Sequence, residues 1–191
     1  MLILSLDVSM TATGWVIVEH EEAPGSIPTL LDCGVIQTEK MSTKENVSTT
    51  ADSMRRAVKI NNTLRDAMAS QKFDLVVVEA MSWPRNAGAA IKMAMAWGAI
   101  APLIRDYPLI EVGPQALKLA VAASKSATKK EVEAGVRKLI PAISSELLET
   151  LIPKRALREH CWDALGAVLA ARKTEKWALL QTGIQAGRRQ P

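Results

Sequence analysis

The chain has 191 residues, 48% of them hydrophobic, which suits one folded domain with a sizeable core and excludes a disordered chain. Its two cysteines, Cys33 and Cys161, lie far apart and read as reduced thiols, so no disulfide scaffold is expected. The net charge of +4 is uneven: residues 1–112 carry 10 Lys/Arg against 13 Asp/Glu, residues 113–191 carry 14 against 7, and a basic half of this kind points to a polyanionic partner.

The N-terminus, MLILSLDV, has no basic stretch and too short an apolar run for a signal peptide. No stretch reaches the roughly 18 consecutive apolar residues of a membrane span, so a soluble, cytoplasmic protein with no membrane partner is expected. Residues 2–8, 14–18 and 30–37 read as strands, the first two joined by the small polar segment Ser9 to Thr13. A helix is predicted over Thr50–Ala69, with Met54, Val58, Ile60, Leu64 and Met68 as its apolar stripe. Residues 74–79 form a buried strand, Asn86–Arg105 a long Ala- and Met-rich helix, and 109–112 a short strand; Gly113-Pro114 then opens another helix. After a basic loop at 124–130, Thr128 caps a helix over 129–139, with Glu131 three residues on. The last clear helix is Ala156–Arg172, striped by Leu157, Cys161, Leu165, Val168 and Leu169. Hairpin-joined strands followed by β-α-β crossovers predict an α/β fold with a mixed sheet of about five strands, the first three antiparallel, flanked by helices. The domain is expected to span 1–174, with 175–191 a basic tail, frayed from 183.

Two core strands end in carboxylates, Asp7 and Glu79, and a charge beside an apolar strand is costly unless paired or bound to a metal. The last helix carries His160 and Asp163 three residues apart on one face, offset from its apolar stripe. These four side chains could converge on a hard cation, Mg²⁺ or Mn²⁺, the imidazole leaning toward Mn²⁺. Solvation of each acid beyond the core edge is the simpler alternative for any one of them.

At these residues the sequence resembles the RuvC family of Holliday-junction resolvases, within the ribonuclease H-like superfamily. The matching motifs are Asp7 followed by Thr13-Gly14-Trp15, Glu79 followed by Trp83 and Asn86, Pro114 to Lys118 leading into SKSATKKEV, and His160-Cys161-Trp162-Asp163-Ala164-Leu165. They occur in family order over residues 2–172. Ser9 and Ser124-Lys125-Ser126 stand where the family has glycines, marking a divergent member of the kind a bacteriophage would carry.

The resemblance implies a ribonuclease H-like fold. It also implies symmetric hydrolysis of four-way junctions by an endonuclease with two divalent metals, roughly 3.5–4 Å apart. Asp7, Glu79, His160 and Asp163 would be the catalytic and metal-binding residues, with His160 either a ligand or the group that orients and deprotonates water. Lys118, Lys125, Lys129 and Lys130 would hold DNA phosphates, Trp83 would stack on an unpaired base, and Arg85 would join this surface. Paired cuts imply a homodimer, with helix 88–105 as its face. A relaxed nuclease for forks and flaps and a non-catalytic junction-binding relative remain as alternatives.

Overall fold

Short apolar runs build the first three strands, β1 (Leu2–Asp7), β2 (Ala12–Glu19) and β3 (Thr29–Gln37), paired antiparallel in sequence order. The turn between β1 and β2 is closed by side chains: Ser9 Oγ donates to the Ala12 carbonyl at 2.8 Å and Thr13 Oγ1 to the Ser9 carbonyl at 2.6 Å. β4 (Leu75–Glu79) and β5 (Leu109–Val112) add in parallel, so the sheet order is β3-β2-β1-β4-β5. The computed structural model describes residues 1–21, 23, 25–41, 47–81 and 86–188.

Helices cover both faces, which is why β1 and β4 are near-continuous apolar runs. On one face, α1 (Thr49–Met68) and α2 (Ala87–Ile104) pack over Leu4, Leu6, Val76 and Val78. On the other lie α3 (Pro114–Ala122), α4 (Lys129–Leu139), α5 (Ala142–Leu151), α6 (Arg155–Ala171) and α7 (Glu175–Arg188). α6 is the centre of this layer and is buried continuously from Cys161 to Ala171. Ser5 in β1 donates its buried hydroxyl to the Ala164 carbonyl of α6 at 2.8 Å, pinning helix to sheet. Cys33 and Cys161 are both free and buried.

The predicted strands and their antiparallel start agree with the structure, and helix boundaries differ by a residue or so. The capping box at Thr128 and Glu131 is formed as expected. Four expectations change. The buried face of α1 is Asp52, Arg56, Ile60 and Leu64, an i+4 series, and it leaves Met54 and Val58 more than half exposed. Arg56 is 1% exposed; its Nε donates to Thr38 Oγ1 at 2.7 Å and its Nη2 to the Met10 carbonyl at 3.1 Å. The helix therefore buries a satisfied polar network where the apolar stripe was expected to continue. The segment read as a tail forms α7, which holds its helix through Arg188 and buries Trp177 in the core of the α6 face. α5 was not anticipated. Finally, α2 has a mean hydropathy of 1.5 over 18 residues, long and apolar enough to cross a membrane by length and composition, although Lys92 interrupts its apolar run. Only Ala96, Ile100 and Ile104 of it are buried.

Arg56→Ala should leave a buried void and remove the guanidinium's bonds to Thr38 and the Met10 carbonyl and its pairing with Asp52, costing about 3–5 kcal/mol in urea unfolding, whereas the exposed Arg55→Ala should cost under about 1 kcal/mol.

Candidate active site

The two-residue period of a strand decides which acids meet. In β1, Ile3 and Ser5 face α6 and Leu4 and Leu6 face α1 and α2, so Asp7 points to the α6 side. In β4, Leu75 and Val77 face the α6 layer, and Glu79 follows them. The strands are parallel with Leu6 opposite Val78, so Asp7 and Glu79 end side by side. Asp163 reaches the same point from α6 and is 4% exposed. One ligand oxygen from each of Asp7, Glu79 and Asp163 lies within 4.8 Å of the others.

Close approach of α6 depends on Gly14. This residue pairs with Asp7 across β1 and β2, and a Cβ there would lie 2.5 Å from the His160 carbonyl oxygen and 2.6 Å from the His160 Cβ. The first turns of α6 thus rest directly on β2, and His160 Nδ1 comes 2.7 Å from Asp7 Oδ2. An ionised carboxylate only accepts, which assigns the proton of this bond to Nδ1. His160 is therefore attached to Asp7 and stands outside the three-carboxylate group, while its Nε2 lies 3.7 Å from Glu159 Oε1.

The basic residues separate into distinct environments. Lys129, at the start of α4, forms an ion pair with Asp163. Lys118 on α3 lies close enough for its charge to act on Glu79. Lys125 and Lys130 are exposed and make no contact with the acids among the described residues. Trp83 and Arg85 fall outside the described residues. The Lys129–Asp163 pair was not legible as such in the sequence. Its signal was the capping box, which fixes where α4 begins and therefore where Lys129 projects.

Burial at this edge and the charge of Asp7 raise the proton affinity of Glu79 and Asp163. Burial, then the negative charges of Asp7 and Asp163, pushes the Glu79 carboxyl up to about 7. Burial also raises Asp163, against the pull of the Lys129 ammonium. Burial disfavours the His160 imidazolium, but the hydrogen bond and charge of Asp7 outweigh it and raise its pKa. The Lys129 ammonium is likewise disfavoured by burial but held charged by Asp163. Hard oxygen donors with this excess of negative charge fit a divalent cation of the Mg²⁺ or Mn²⁺ type.

Residues 3–147 match the family described as Crossover junction endodeoxyribonuclease RuvC. A RuvC of Granulibacter bethesdensis is 32% identical over 140 residues, covering 72% of each chain. A RuvC of Synechococcus sp. RCC307 is 29% identical over 173 residues, covering 90% of this chain and 98% of its own. The structure of Thermus thermophilus RuvC in complex with a Holliday junction substrate superposes with a TM-score of 0.64 at 24% identity, covering 89% of this chain and 92% of that one.

The raised Glu79 pKa has a definite sign for stability. The folded state holds this proton more tightly than the unfolded state, so ionising Glu79 costs stability progressively as pH rises from about 4.5 through about 7. Glu79→Gln should raise the thermal midpoint of the metal-free protein clearly at pH 8 and little at pH 4.5. Scanning calorimetry at the two pH values checks this.

Proposed function

The chain belongs to the RuvC family of crossover junction endodeoxyribonucleases, and from this premise we propose that it resolves four-way DNA junctions by divalent-metal-dependent hydrolysis of phosphodiester bonds. The observation that carries the reading is the meeting of Asp7, Glu79 and Asp163 from three separate elements within 4.8 Å. These three carboxylates are the residues to hold Mg²⁺ or Mn²⁺, two per site, with His160 beside them. When bound, such ions stabilise the charge that develops on the attacking and leaving oxygens of the phosphate.

The chain's own groups do the rest. Asp7 accepts the His160 Nδ1 proton and so fixes the ring, turning Nε2 toward incoming water, which it orients and deprotonates. Lys129 offsets the charge of Asp163 until cation and substrate arrive, then serves a phosphate oxygen. Lys118, from α3, supports the same phosphate, while Lys125 and Lys130 hold the backbone farther out without reading sequence. Trp83 and Arg85 complete the DNA-binding set at the junction centre. The protein works in the cytoplasm, the host's if it is phage-encoded.

Paired nicks require two sites related by a two-fold axis, and α2 supports a homodimer. Its outward residues Ile91, Ala94, Gly98 and Ala101 follow a heptad-like spacing of small and apolar side chains, and Ile91 is 62% exposed. Ile91→Lys should convert dimer to monomer in light scattering.

The function is tested with a labelled synthetic four-way junction, a fork and a linear duplex in Mg²⁺ or Mn²⁺. The native protein should place symmetric nicks in the junction, and Asp7→Asn should slow cutting by about 100-fold or more. Equal cutting of the fork would make it a general branch nuclease. Tight binding without cutting in either metal would leave a non-catalytic relative.

A further inference from the structure

The four lysines predicted to hold DNA, Lys118, Lys125, Lys129 and Lys130, lie in the basic half, on the α3–α6 side of the sheet. The acidic half also gathers cations, on the opposite side. A cavity of about 210 Å³ is lined by the segment 9–11, Lys40, Arg56, Ala89, Lys92 and Met93. A second, of about 200 Å³, shares Lys40, Arg56 and Lys92. These three come from the segment after β3, from α1 and from α2, so sequence distance hides their convergence.

The two lysines and the arginine differ in kind. Arg56 is buried, bonded to Thr38 and Met10 and paired with Asp52 at 3.9 Å, so its charge is fixed in place and partly offset. Lys92 is half-buried and Lys40 exposed, and neither has a hydrogen bond or ion pair among the described residues. The acid that lines the second cavity, Asp52, is already engaged, with Arg55 at 2.8 Å and the Met41 amide at 3.2 Å. A half-buried lysine with no acid paired to it among the described residues favours the arrival of an anion.

The place of this pocket gives it meaning. Ser9 and Thr11 belong to the turn that leaves Asp7, and Ser9 lies two residues on, within about 7 Å along the chain. We propose that Lys40, Lys92 and Arg56 form a second phosphate-binding pocket that grips the DNA backbone beside the cleavage site. It lies on the opposite face of the sheet from Lys118 and Lys129. A strand held in both basic sets is drawn over the three carboxylates, and neither set reads bases. This inference rests on the junction-resolving reading and adds a subsite to it.

The test measures junction affinity against salt concentration by fluorescence anisotropy in EDTA, for the native protein and for Lys40→Gln/Lys92→Gln. The double variant should bind at least about tenfold more weakly, and the slope of log affinity against log salt should fall by about two, one per lost phosphate contact. Lys72→Gln, which removes the same charge just before β4 at the far end of the sheet, should change neither. Lys40→Arg/Lys92→Arg should restore the slope. If the double variant loses thermal stability, Lys40→Gln alone, at an exposed residue, should still lower the slope by about one. Native affinity and slope in the glutamine variants would overturn the pocket while leaving the resolvase reading intact. Failure of the native protein to bind or cut a junction would overturn both.

Discussion

Mutual repulsion of three carboxylates is the constraint around which the molecule is arranged. At the separations found here, each ionised pair repels by on the order of 3 kcal/mol at an effective dielectric of about 20, before the cost of burial is added. The protein meets this in three ways. Glu79 keeps a proton up to about pH 7, Lys129 lies against Asp163, and His160 donates to Asp7. Each is a weaker substitute for a doubly charged cation. The site is therefore poised to exchange protons and an ammonium for metal, and the stability cost of the cluster is the origin of its affinity.

Holding such a cluster together falls to apolar packing and a few specific contacts behind it. The parallel pairing of β1 and β4 delivers Asp7 and Glu79 in register, and the continuous burial of α6 sets the height from which Asp163 descends. The Ser5 hydroxyl on the Ala164 carbonyl fixes the helix along the sheet, and the bare Cα of Gly14 sets how closely its first turns approach. No chemical group in this scaffold takes part in hydrolysis. Together these contacts hold charges that would otherwise move apart.

Much of this was legible in the sequence because strands announce their own ends. A carboxylate after four buried residues reads alone as a solvated strand end, and Asp7 and Glu79 pointed to a site only together with His160 and Asp163. Asp163 was legible through its place beside Ala164 and Leu165 on a helix of clear period. What the sequence hid was long-range and polar. The phase of α1 could not be read because its stripe begins with Asp52 and Arg56, whose partners, the Met41 amide for Asp52 and Thr38 and the Met10 carbonyl for Arg56, come from outside the helix. α7 was obscured by its basic end, although Trp177 anchors it through a contact with the distant His20 ring. The pairing of Lys129 with Asp163, and the bonding of His160 to Asp7 outside the carboxylate group, depend on how α4 and α6 sit against the sheet, which no local pattern encodes. The open face of α2 raises its mean hydropathy to that of a membrane span, and its surplus apolar surface finds no partner within the described chain.

The most direct test of the central claim is a crystal structure of the protein soaked in Mn²⁺, with anomalous scattering to locate the ion. The account predicts density between Asp7, Glu79 and Asp163, with Lys129 displaced from the Asp163 carboxylate. Empty density at these three residues, with the Lys129–Asp163 pair intact at saturating Mn²⁺, would contradict it.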